Sequence, residues 1–255
     1  SAGFFEDMGG GLYCDGTGIE NACSPVLRNI AFIGNHAGQG GAIYNDGERG
    51  GESSPTITDA LFIGNSSGND GGAIFNDGSD SSNDGDVSES SPTITNAVFV
   101  GNRSGDDGGA IYNDGRVGGN SNPIITNAVF VDNSTSDYGG AVYNDGGFIG
   151  TSNPIITNVT FTRNSASIEG GAIYNDGDND FGNQSESRPE ITNAILFGNS
   201  APDGAEIASL GDAAPQVAFS LVEGGCTPNA DCANLISGVP AFVDATTPAG
   251  PDGIF

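Results

Sequence analysis

One octapeptide recurs along this chain. Gly40-Gly41-Ala42-Ile43-Tyr44-Asn45-Asp46-Gly47 returns at Gly71 to Gly78, Gly108 to Gly115, Gly139 to Gly146 and Gly170 to Gly177. A degenerate copy, Gly10-Gly11-Leu12-Tyr13-Cys14-Asp15-Gly16, precedes them, and a decayed one, Gly204-Ala205-Glu206-Ile207, comes after. The leading glycines lie 30, 31, 37, 31 and 31 residues apart. A fixed period of this size demands a repeat architecture, in which each unit buries its apolar face against the next.

Each unit has a second half. Ser24 to Asn35 returns as Ser54 to Asn65, Ser91 to Asn102, Asn122 to Asn133, Asn153 to Asn164 and Arg188 to Asn199, in the pattern Pro-x-Ile-Thr-Asn-Ala-x-Phe-x-Gly-Asn. Three short β-rich runs per unit, such as Thr93 to Thr95, Ala97 to Val100 and Ala110 to Tyr112, are separated by turn residues. No window carries an apolar 3.6-residue period with caps, so helix is not expected. The pattern predicts an all-β chain wound as a parallel β-helix, a solenoid with three short strands and about 31 residues per coil. Period-two alternation places one inward column at Leu27, Ile57, Ile94, Ile125, Ile156 and Ile191. A second runs through Phe32, Phe62, Phe99, Phe130, Phe161 and Leu196, and Asn35, Asn65, Asn102, Asn133, Asn164 and Asn199 predict a hydrogen-bonded ladder at a corner. Extra residues at Ser79 to Glu89 and Asp178 to Ser187 both come after the Asp-Gly turn, so insertions leave the rod at one corner. Residues 1–222 read as the β-helix, about seven coils, and 223–255 as a stapled loop and irregular tail. Ser1-Ala2 matches the pair Ser165-Ala166 behind Asn164, so the chain reads as opening inside a coil.

Charge narrows the partners. With 33 acidic groups, six arginines, one histidine and no lysine, the net charge is −27. Such a chain is repelled by nucleic acid and by anionic membranes, and no stretch is apolar enough for membrane insertion. The cysteines form two close pairs, Cys14 with Cys23 and Cys226 with Cys232, at the edges of the array. Two local disulfides and an oxidising compartment are expected, rather than zinc.

Four features bear on function. Beside the inward phenylalanines, the alternation leaves an outward apolar face: Leu61 and Ile63, Val98 and Val100, Val129 and Val131, Ile195 and Phe197. A solvated sheet face alternates apolar with polar, so this one is expected to be an interface, unless another part of the chain covers it. The second feature is an aspartate column, Asp46, Asp77, Asp114, Asp145 and Asp176, preceded by Asp15. Like charges stacked about 4.8 Å apart need an offset, either donors from their own turns or bound cations. Calcium fits an oxygen-rich set, and Asp176, Asp178 and Asp180 alternate somewhat like a calcium loop, as do the acids of the 80–89 loop. The third is an aromatic column, Tyr13, Tyr44, Phe75, Tyr112, Tyr143 and Tyr174, whose direction the sequence leaves open. The fourth is catalytic potential. Carboxylates are everywhere, no lysine exists, and no unit breaks the repeat with a local cluster, so no catalytic residue is assigned.

The units Pro-x-Ile-Thr-Asn…Phe…Gly-Asn and Gly-Gly-Ala-Ile-Tyr-Asn resemble the right-handed parallel β-helix repeats of secreted bacterial surface proteins. They are similar to polymorphic outer-membrane-protein repeats, and closer to pectin-lyase-like proteins with a choice-of-anchor tail. The stretch Asn193 to Asn199, Asp203 to Ile207 and Ser220 to Cys226 carries the most specific part of that likeness. The resemblance implies a right-handed solenoid exported to a bacterial surface, and no reaction. The expectation is an extracellular structural module that forms a homo-oligomer or filament through open coil ends and the apolar face. The alternative, from another class, binds or cleaves a surface polysaccharide.

Overall fold

The computed structural model describes residues 7–80, 86–178 and 185–240. Ser1-Ala2, Asp180 and the tip of the 80–89 loop therefore lie outside the described residues. Among these residues every regular element is a strand, and no helix is long and apolar enough to cross a membrane. The strands stack in parallel into three sheets of ten, seven and five strands. One coil shows the plan. Thr93–Val100 belongs to the longest sheet, Arg103–Ser104 to the shortest, and Ile111–Asp114 to the third. Each pairs with its equivalents one unit earlier and later, as Phe99 does with Phe62 and Phe130.

The predicted runs 93–95 and 97–100 prove to be one strand with a bend. The bend is Asn96, whose φ is 54°, and its equivalents Asn29, Asp59, Asn127, Asn158 and Asn193 lie between 50° and 57°. Asn and Asp tolerate this left-handed conformation better than other side chains, which explains the Asn after each Ile-Thr. The shortest sheet comes from the polar link, which sequence patterning did not mark as strand because it is two residues long. The glycine pair makes the remaining corner for two different reasons. Gly71 has φ 63°, whereas a Cβ on Gly72 would sit 2.2 Å from the carbonyl oxygen of Gly109. The first glycine serves conformation and the second close approach of coils.

The interior is built from columns. Ile57, Ile94, Ile125, Ile156 and Ile191 are fully buried, and Phe62, Phe99, Phe130 and Phe161 stack with centroids 4.6, 4.5 and 4.8 Å apart. The predicted asparagine ladder is present. The Nδ2 of Asn65 donates to Oδ1 of Asn102 at 2.9 Å and to the carbonyl of Phe32 at 3.0 Å, and each rung repeats this down to Asn199. A second ladder, Asn45, Asn76, Asn113, Asn144 and Asn175, runs inside the third sheet. Hydroxyls of Ser90, Ser121, Ser152 and Ser187 donate to carbonyls of that ladder.

Both disulfides form, Cys14–Cys23 and Cys226–Cys232. Cys14 occupies the rung below Asn45, and Cys23 the position of the laddered serines, so the first staple replaces an Asn and Ser pair. Asn45 Oδ1, which would accept from an asparagine at position 14, is buried without a partner. At the other end the longest sheet runs past residue 222, because Asp231–Ala233, which contains Cys232 of the second staple, adds a rung on Gln216–Ala218.

Replacing Asn102 with Leu removes the acceptor of two Asn65 donors and the donor to Phe62 and Asn133. At about 1–3 kcal/mol per buried unsatisfied group, the loss is expected to be about 4 kcal/mol in a urea unfolding series. Asn127→Ala, on the exposed bend, should lose only about 1 kcal/mol, from the left-handed backbone.

Candidate functional site

Two faces of the rod carry the residues singled out above. On the third sheet, Ile43 points into the core, so Tyr44 points away from it, yet Tyr44, Phe75, Tyr112, Tyr143 and Tyr174 form a second buried cluster with exposures of 2–6%. The direction that sequence left open is thus outward but covered. The rings stack with centroids 4.8–5.1 Å apart.

The tyrosines and the aspartate column solve each other's problem. Each Asp spends Oδ1 on a backbone N–H two residues ahead in its own turn, at 2.8–3.2 Å. Its Oδ2 accepts a phenol from the coil before: Tyr13 to Asp46 and Tyr44 to Asp77, both 2.5 Å, Tyr112 to Asp145 at 2.8 Å, and Tyr143 to Asp176 at 3.1 Å. Burial, followed by the charge of Asp77, raises the Tyr44 phenol far above its ordinary value, so it stays a donor. Asp114 lacks such a donor because Phe75 stands below it. There Arg116 takes over, with Nη2 2.7 Å from Asp114 Oδ2 and Nε 3.3 Å from Asp145 Oδ2. This pairing was legible in principle, since the one phenylalanine in the column is followed one unit later by the arginine.

The calcium expectation meets this geometry directly. Asp46, Asp77, Asp114, Asp145 and Asp176 share one edge, but their oxygens already have protein donors. Asp178 offers its backbone N–H to Asp176. Among the described residues no three His, Cys, Asp or Glu side chains are grouped to hold one ion.

A second acidic column was missed. Asp70 and Asp107 sit at the corner before the glycine pair, where Asp70 Oδ1 accepts the N–H of Asp107 at 3.1 Å, and Asp107 Oδ1 that of Tyr138 at 2.9 Å. Burial pushes their carboxyls up to about 6 and about 7. Glu206 terminates the first asparagine ladder by accepting from Asn199, and burial pushes it up to about 7. Asp77 and Asp145 are raised as well, by burial and then by the charge of Asp114.

The outward apolar residues lie together on the longest sheet. Leu61, Val98, Val129, Thr160 and Ile195 stack in one column, and Ile63, Val100, Val131, Thr162 and Phe197 in the next. Leu61 is 42% exposed, whereas Val98 and Val131 are buried and the other five half-buried. Interior members are screened by neighbours above and below. At the first coil Ile33 is 64% exposed, and at the last coils the stripe opens into a groove lined by Ile195, Phe219, Leu221, Ile236 and Pro240. Phe219 occupies the position of the bend asparagines, with φ 52° and more than half its surface exposed.

Coils, sheets and ladders together define a parallel β-helix repeat protein. Residues 29–46, 59–77, 96–114 and 158–176 match the model of the Chlamydia polymorphic membrane protein (Chlamydia_PMP) repeat. Each match runs from the bend residue to the aspartate of the first acidic column. No curated protein and no solved structure matches the chain.

Asp70, Asp77, Asp107, Asp145 and Glu206 hold their protons more tightly folded than in an unfolded chain, where carboxyls titrate near about 4. Below that pH they cost folding nothing. As pH rises the unfolded chain releases these protons first, so stability falls through the window from about 4 to about 8. The melting temperature is expected to be higher at pH 5 than at pH 8; equal values would contradict the burial of these groups.

Proposed function

We propose that this chain is a structural module of a bacterial outer surface that associates with further copies of itself through the apolar stripe of its longest sheet. Repeats of the polymorphic membrane protein type suggest a bacterial outer-surface β-helix protein. The observation that carries the self-association is the stripe. A strand face beside solvent ordinarily alternates with polar residues, whereas Ile33, Leu61, Ile63, Val129, Ile195 and Phe197 present aliphatic or aromatic carbon along the rod. Half-buried core residues in the outer described coils, Leu12, Leu27 and Ile30 at one side and Cys232 and Leu235 at the other, offer apolar surface that a further chain can cover.

Leu61→Asp with Val129→Asp is expected to abolish association in sedimentation while leaving the β-sheet circular dichroism intact. A parent protein that stays monomeric at high concentration, or a double variant that assembles as the parent does, overturns the reading. Calcium at the loop beginning Asp176 and Asp178 belongs to the same proposal, and a melting temperature unmoved by EDTA excludes it.

A further inference from the structure

The corner column before the glycine pair contains one residue out of character. Its members are Gln39, Asp70, Asp107, Tyr138, Glu169 and Asp203, joined through Tyr138 to Glu169 and Glu169 to Asp203 by backbone bridges. From Asp70 onward every coil places a carboxylate there except one. The ring of Tyr138 packs against the tyrosine ladder, 4.7 Å from the ring of Tyr174 and edge-on to Tyr143 at 6.5 Å. It is half-buried, so part of the ring still meets solvent.

The ladder itself is incomplete at this point. Tyr13, Tyr44, Tyr112 and Tyr143 each give their hydroxyl to an aspartate of the next coil. Tyr174 faces Leu210 in that register, and its hydroxyl makes no hydrogen bond among the described residues, although the residue is 3% exposed. A phenol without a hydrogen-bond partner therefore lies against the one aromatic ring that breaks the acidic column. Glu169, Asp107, Asp137 and Asp176 are the carboxylates whose charges bear on Tyr138. None of the four has an ion-pair partner among the described residues. One coil away Arg116 already lies across Asp114 and Asp145 beside the same ladder, so this face accommodates a guanidinium.

We propose that Tyr138, framed by Asp107, Asp137 and Glu169 and packed on the ring of Tyr174, binds an organic cation: an alkylammonium or guanidinium group. A ring face attracts such weakly hydrated cations and the carboxylates supply the charge. A hard divalent ion is the poorer fit, since it takes a cage of oxygens and these carboxylates do not converge into one. The cation is supplied either by a free polyamine or by a lysine or arginine of another chain.

Isothermal titration at constant ionic strength tests this, with spermidine in one arm and a tetra-arginine peptide in the other. Saturable binding is expected, at least tenfold weaker in Tyr138→Leu and in Glu169→Gln, and near parental in Tyr138→Phe, which keeps the ring. The chain has no tryptophan, so its six tyrosines report binding by their own fluorescence. Binding by spermidine alone assigns a free polyamine, and binding by the peptide alone assigns a protein partner. No binding in either arm overturns the proposal. So does equal affinity of the parent and Tyr138→Leu, which is the signature of diffuse attraction to a chain of charge −27. Should Tyr138→Leu fail to fold, parental binding by Tyr138→Phe beside weakened binding by Glu169→Gln supports the site, and undiminished binding by Glu169→Gln refutes it.

Discussion

Every coil is hydrogen-bonded to the next through its backbone, in register, and that one constraint dictates which side chains each column accepts. Stacking at about 4.8 Å makes each residue's nearest neighbour its own copy. An amide satisfies the condition alone, because it both donates and accepts, so two asparagine ladders run through the rod. A phenyl ring satisfies it by stacking. A carboxylate cannot, since identical charges repel and neither donates. From Asp46 onward the aspartate column is tolerated because each level receives a backbone N–H from its own turn and a phenol from the coil below, or, at Asp114, the guanidinium of Arg116.

Departures from a column are consequently informative. Phe75 withdraws a donor and Arg116 restores one. Cys14 removes an asparagine and leaves Asn45 Oδ1 alone. Leu210 removes an aspartate and leaves the Tyr174 hydroxyl alone. Glu206 ends a ladder with a carboxylate where an amide oxygen stood. Cys14, Glu206 and Leu210 fall in the outer described coils. Tyr138 does not; it lies within the regular array.

What could be read from sequence was whatever obeys the period. The isoleucine and phenylalanine columns, the first asparagine ladder and the corner where insertions leave all emerge from alignment of the units with one another, and the disulfides from the two close cysteine pairs. The rest depends on distances between non-equivalent positions. Whether Tyr44 points inward could not be decided, because the residue alternates outward and is nevertheless covered. Val98 and Val131 read as surface, yet they are screened by the residues stacked on either side of them. The strand at Arg103–Ser104 is too short to leave a pattern. The tyrosine to aspartate bonds join positions 33 residues apart, two more than the repeat, so comparing the units in register does not pair them.

The charge is not spread evenly around the rod, and this separates the faces. The aspartate and corner columns, with Arg116 as their one internal cation, belong to the third sheet and its flanking turns. The stripe on the longest sheet is bordered by asparagines at one bend and mostly glycines at the other, with Asp59 exposed and Asp132 paired to Arg163 at 2.7 Å. At physiological salt, charges farther apart than about 8 Å are largely screened. Two such rods meeting through their acidic sides place unscreened carboxylates against one another, whereas meeting through the stripe keeps the two acidic sides apart. The apolar stripe and the acidic columns thus lie on different sides of the rod, and the same stacking rule that sorts residues into columns has sorted them onto those sides.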